Sequence, residues 1–158
     1  MKATMTHVAV DKLVSGINEI NQARDVTAGK GQILSNPVKL PARFNYALNH
    51  TLALLKPALD AMRETNKKTF ADFNKAKDAI QKEFEALPPA NREDKNVQVS
   101  YNERILKLQS ETHKDKFEEW KTFMESETEV DIHKIKLAEV PDALSGDQMA
   151  AIFSLIEE

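Results

Sequence analysis

Four histidines, a run of carboxylates and a few Gly-containing turns are the residues of this 158-residue chain that could do chemistry. His7, His50, His113 and His133 form no HxxxH or HExxH pattern, the spacing that sets two imidazoles on one helix face for a metal ion. No metal site is expected, and without cysteine there is no thiolate ligand, disulfide or cysteine nucleophile. His113 reads as a packing residue, and His133 falls where an extended segment changes phase. Glu118, Glu119, Glu125, Glu127 and Glu129 read as the solvated side of a helix and its end. Glycosidase chemistry would need two such carboxyls across a cleft, which nothing in the sequence announces. No GxSxG elbow is present, and Ser15-Gly16 and Ser145-Gly146 read as helix and cap residues. Gly29-Lys30-Gly31 lacks the spacing of a phosphate-binding loop, and Gln32 and Ile33 after it offer no hydroxyl for magnesium. Neither a catalytic residue nor a cofactor is expected, and the chain reads as a binding protein rather than an enzyme.

The partner suggested by composition is another protein. With 22 basic and 25 acidic residues, net charge -3, there is no positive excess to hold a nucleic-acid backbone. Met1 to Ile20 is broken by charges, and no apolar run approaches the ~20 residues of a membrane span. A soluble protein of the cytoplasm, without membrane or nucleic-acid partners, is the expectation. Charged residues at 30% and aromatics at 6% suit an elongated helical shape better than a thick core.

The elements that would position any functional surface begin with Val8 to Ile20, where Val10, Leu13, Val14, Ile17 and Ile20 recur at helical spacing behind a possible Thr6 cap. Thr4 to Val8 has the composition of a short strand. Thr27 to Pro37, with Gly29, Gly31, Ser35, Asn36 and Pro37, reads as a loop. Pro41 is placed to open a long helix, whose heptads put Leu52, Leu59, Asn66, Phe73, Ile80 and Leu87 at a and Leu48, Leu55, Met62, Thr69, Ala76 and Glu83 at d. Pro57, at an outward position, predicts a kink or break near Leu54 to Ala58. Pro88, Pro89 and the polar run to Asn96 end the helix, and Val97 and Val99 alternate as in an extended tip. From Tyr101 a second helix aligns Leu106, His113, Phe117, Trp120 and Met124, with Tyr101, Ile105 and Leu108 widening its first turns.

Folding back near residue 93 pairs numbers summing to about 186, given equal rise along both helices. Leu106 then faces Ile80, His113 faces Phe73, and Trp120 meets Asn66, whose side-chain oxygen would accept from the indole nitrogen and fix the register. Seven basic and four acidic residues over 56–82 face five basic and eight acidic over 103–129, a complementary pattern. Beyond the second helix, Val130, Ile132, Ile135 and Leu137 alternate with a phase change at His133 and Lys134, predicting a bulged strand that pairs with the N-terminal one or with another chain. Ser145-Gly146-Asp147-Gln148 is a capping box, followed by Met149, Ile152, Phe153 and Ile156 at helical spacing. From Ala138 onward there are five acidic residues and no basic one.

The expected architecture is mainly α: one domain over 1–158, with a long antiparallel, coiled-coil-like helical hairpin over 41–129, its tip at about 88–100, and base elements at 1–40 and 130–158 that include a minor β element. Phe70 at heptad position e and Phe123 beside Trp120 exceed what a two-helix seam needs. Those two, with Met149, Ile152, Phe153 and Ile156, are the candidate partner-binding residues; Asn66, His113 and Trp120 are the structural ones. Self-association is also expected.

Val38-Lys39-Leu40-Pro41-Ala42-Arg43-Phe44-Asn45-Tyr46, the charged hairpin and Glu127-Thr128-Glu129-Val130-Asp131-Ile132-His133-Lys134-Ile135 together resemble small uncharacterised proteins of tailed bacteriophages and prophages, over residues 38 to 137. The resemblance implies a phage origin, in a bacterial host cell or on the virion, and carries no site residues. The hairpin with flanking strands also resembles prefoldin-like chaperone subunits at the level of fold, from which the Pro88-Pro89 tip and Pro57 depart.

Overall fold

The computed structural model describes residues 1–22, 24–29, 32–37 and 40–157, the two short stretches by their backbone alone. It is mainly helical, with short paired strands, and divides into two compact units: Met1–Ala61 with Ser126–Glu158, and Met62–Glu125.

In the first unit, strand β1 (Lys2–Thr6) leads directly into helix α1 (His7–Gln22). The Thr6 hydroxyl accepts from the Ala9 amide at 3.2 Å, satisfying one of the orphan donors of the first turn, so Thr6 is the cap its sequence position suggested. Val10, Leu13, Ile17 and Ile20 on one stripe of α1 are fully buried. β1 pairs antiparallel with β4 (Glu127–Asp131), Thr4 opposite Glu129, and Lys2 forms an ion pair with Glu129 on the exposed face. The expected partnership of the N-terminal strand and the strand after the second helix is thus present. The bulge is replaced by a break: Ile132 still exchanges hydrogen bonds with Met1 at 2.8 and 2.9 Å, His133 and Lys134 leave the ladder, and β5 (Ile135–Lys136) pairs parallel with a different partner, β6 (Ile156–Glu157).

Thr27 to Pro37, expected as a loop, instead lies largely in an antiparallel pair, β2 (Arg24–Gly29) with β3 (Gln32–Pro37), Thr27 opposite Leu34. Val26, Thr27, Ile33 and Leu34 supply the β propensity that the Gly and Pro signals masked. Lys30 and Gly31 of the Gly29-Lys30-Gly31 fragment lie outside the described residues.

Helix α2 (Ala42–Thr69) runs without a break through Pro57; the helical backbone is interrupted at Phe70, thirteen residues later (φ -102°, ψ 11°). Pro57 is exposed, so its missing amide leaves a carbonyl that water can reach. Phe44, Leu48 and Leu55 of α2 close the core of the first unit with Val130, Ile132 and Ile135. The C-terminal segment completes it. Ser145 and Gln148 form the reciprocal capping box, but α7 (Gly146–Ala151) stops after six residues and gives way to a 3-10 turn (Phe153–Leu155) and β6. Gly16 allows α1 and α7 to approach closely: a Cβ there would stand 2.4 Å from the Cβ of Ala151.

The second unit contains the end of α2 and helices α3 (Ala71–Glu85), α4 (Pro89–Arg92), α5 (Lys95–Lys107) and α6 (Lys114–Glu125). The chain turns back through Pro88-Pro89 and α4, as the prolines suggested. Val97 and Val99 are helical rather than extended, because the Asp94 carboxylate accepts from the Asn96 amide at 2.8 Å and starts α5 early. Contacts across the unit pair Phe84 with Tyr101, Glu83 with Arg104 and Phe73 with His113, so the expected antiparallel pairing holds within 62–125. Between α5 and α6 a single π turn, Leu108–Thr112, is closed by the His113 amide on the Leu108 carbonyl at 3.0 Å.

That π turn explains which stripe is half-buried against the first arm. The half-buried side chains of the second arm include those at 105, 108, 113, 117, 120 and 124, and the gap of five between Leu108 and His113 would misalign an α-helix by more than a third of a turn. A π turn absorbs the extra residue and returns both halves to the same face. Leu106, expected opposite Ile80, is left outside and exposed.

Candidate functional site

The second unit presents an aromatic face. Phe70, 8% exposed, packs on Phe117 with ring centres 4.7 Å apart and on Trp120 at 6.0 Å. Phe73 meets Phe117 edge-on at 5.2 Å and His113 at 5.7 Å, and Phe123 stacks on Trp120 at 5.3 Å. Such tilted and edge-on pairs are favoured by the ring quadrupoles, worth about 0.5–1.5 kcal/mol each beyond area burial.

Phe70 is therefore not spare surface. It is the centre of the cluster, and it occupies the place opposite Trp120 that the sequence assigned to Asn66, which is exposed. The reason lies in the backbone: the departure from helix at Phe70 swings a residue at position e into the seam. His113 packs on Phe73 as expected.

Only Met62 and Phe70 are buried apolar side chains among the described residues of this unit. Phe73, Phe117, Trp120, Phe123 and Met124 are half-covered. Toward the tip, Phe84, Leu87, Val97 and Tyr101 line a cleft of about 380 Å³ whose polar edge is the Glu83–Arg104 ion pair at 2.7 Å. On the flank, the hydrogen bond from Lys116 Nζ to the Glu119 carboxylate raises the lysine pKa above its ordinary value, with smaller pushes in the same direction from Asp115 and Asp72.

In the first unit, the candidate binding residues near the C-terminus separate. Ile152 is fully buried in the core; Met149 and Ile156 are half-buried, the latter paired with Ile135; Phe153 is 75% exposed. The single stripe expected for a longer helix is divided by the 3-10 turn and β6.

One constellation in this unit was not foreseen. His50 and His133, far apart in sequence, lie with ring centres 5.3 Å apart at 78°, and Tyr46 stacks on His50 at 5.6 Å. Thr51, fully buried, holds the loop that carries His133: its hydroxyl accepts from the His133 amide at 3.3 Å and donates to the His133 carbonyl at 3.4 Å. Tyr46, 64% exposed, and His133 border a shallow groove of about 450 Å³ together with Arg43 and Glu139, which form an ion pair at 3.7 Å. The i, i+4 relation of Tyr46 and His50 was the only part of this cluster readable in advance. Among the described residues, no three His, Cys, Asp or Glu side chains are grouped to hold a metal ion, and no helix is long and apolar enough to cross a membrane.

Comparison with protein-family models, curated proteins and solved structures returned no match.

Proposed function

We propose that this chain is a phage or prophage protein that acts by binding another protein, in virion assembly or on a host target, and that it also associates with itself. The observation that carries the reading is the half-covered aromatic face of the second unit. Sixty-four residues that bury only Met62 and Phe70 leave Trp120, Phe123, Phe117 and Met124 partly exposed along one seam. Aromatic residues held rigidly in such a position are the usual anchors of protein interfaces. Phage origin, with action in the bacterial cytoplasm or on the virion, rests on the resemblance of residues 38 to 137 and on nothing else.

A prefoldin-like holdase is less well supported. It needs apolar surfaces facing one another across a gap, whereas here the rings of the two arms touch.

The test is co-purification from infected or lysogenic cells with wild type and with Phe123→Asp, each checked for helical content by circular dichroism. A protein that accompanies wild type stoichiometrically and is lost at least tenfold with the folded variant supports the reading. Equal recovery with both, or turnover of a metabolite by the purified chain, overturns it.

A further inference from the structure

The second arm carries two apolar stripes in different phases, and the π turn decides which of them meets the first arm. Counting back by sevens from Trp120 passes His113, Leu106 and Val99, the stripe that an unbroken α-helical heptad would place in the seam. Val99 and Leu106 are instead 54% and 61% exposed, and Tyr101 and Arg104 make the contacts to Phe84 and Glu83. The residue that makes the difference is taken up between Leu108 and His113. There the Ser110 hydroxyl donates to the Leu106 carbonyl at 2.8 Å, a local bond of the kind that competes with the regular amide ladder. His113, which ends the turn at φ -122° and ψ 21°, and Phe70 on the facing arm, at φ -102° and ψ 11°, share the same non-helical backbone region and both touch Phe73.

We propose that α5 is a two-register element, switched by conversion of the Leu108–Thr112 π turn to an α turn. Moving one residue out of the turn rotates α5 by about 100° relative to α6. The rotation carries Val99 and Leu106 toward the seam and Tyr101 and Arg104 away from it. The observed register is the ground state because its stripe of Val97, Tyr101, Ile105 and Leu108 is more apolar than the alternative, in which Asn102 and Gln109 stand between Val99, Leu106 and His113. The tip cleft, lined by Phe84, Leu87, Val97 and Tyr101, exists only in the observed register. A molecule seated there would hold the π turn, and one that grips Val99 and Leu106 in the seam would release it, each shifting the population by its differential affinity. The switch stands independently of which partner the protein binds.

The chain contains no cysteine, so an introduced pair supplies the only thiols. In the full chain, Phe84→Cys with Tyr101→Cys reports the observed register, and Ile80→Cys with Leu106→Cys reports the other. The first pair is expected to oxidise at least tenfold faster than the second in the parent sequence, and deletion of Ser110, which closes the gap between Leu108 and His113 from five to four and so keeps the observed register in an unbroken α-helix, is expected to widen that difference. Ser110→Ala, which keeps the chain length and removes the hydroxyl bond, is expected to speed oxidation of the 80/106 pair severalfold. Absence of any acceleration of the 80/106 pair in Ser110→Ala overturns the proposal, whether or not the deletion variant folds.

Discussion

At the scale of single residues, two buried positions carry more than their size suggests. Gly16 sits in the middle of a helix, where alanine alone would be favoured by about 1 kcal/mol. A methyl group there would meet the Ala151 Cβ at 2.4 Å, well inside contact distance, and neither backbone has a flexible side chain to move aside. Gly16→Ala is therefore expected to destabilise the first unit by about 1–3 kcal/mol in urea unfolding, with much of the loss recovered when Ala151→Gly is added. Thr51 is the second. Its hydroxyl meets both the amide and the carbonyl of His133, so Thr51→Val is expected to cost about 1–3 kcal/mol and Thr51→Ser considerably less. Loss of the clamp is also expected to disperse the His50 and His133 ring resonances toward unstructured shifts in NMR spectra. The pairing of those two imidazoles could not be read in the sequence, because 83 positions separate them and only the return of the chain after β4 brings them together.

At the scale of elements, local signals were legible where one short motif decided the outcome. Thr6 before α1, the Ser145–Gln148 capping box and the Pro88-Pro89 stop all act through adjacent backbone groups, and each appears as its residues indicated. Elements that depend on accumulated phase were harder to read. Leu106 was assigned to the seam by counting sevens across a turn that holds one extra residue, and Phe70 was assigned outside it because nothing local marks the departure from helix at that position. Pro57 was read as a kink or a break, and of the two the break is absent: α2 passes through the proline on an exposed face. The helix therefore continues despite the proline rather than because of it. Pro57→Ala is expected to raise stability, by up to about 3 kcal/mol, with the gain seen as a higher urea midpoint at unchanged slope.

At the scale of the whole molecule, two compact units divide the work differently from the hairpin and base read in the sequence. Residues 42–61, the greater part of α2, belong with α1, the strands and the C-terminal segment, and residues 62–125 form a unit of their own. The first unit has an ordinary core of fully buried aliphatic side chains around Phe44 and Thr51. The second buries Phe70 and keeps its other aromatic residues half-covered. This contrast supports binding through the second unit, and it was only partly visible beforehand: surplus apolar residues were evident around Phe123, whereas the burial of Phe70 and Ile152 removes two of the expected contact residues. The central claim, binding through the second unit, is tested most directly by photo-crosslinking in infected or lysogenic cells, the setting of the proposed phage origin, with benzophenone-bearing phenylalanine placed at Phe123 or Trp120 and, as a control, at exposed Glu111. The account expects a discrete protein adduct from positions 123 and 120 and little from 111; equal labelling at all three positions, or none at 123 and 120, would contradict it.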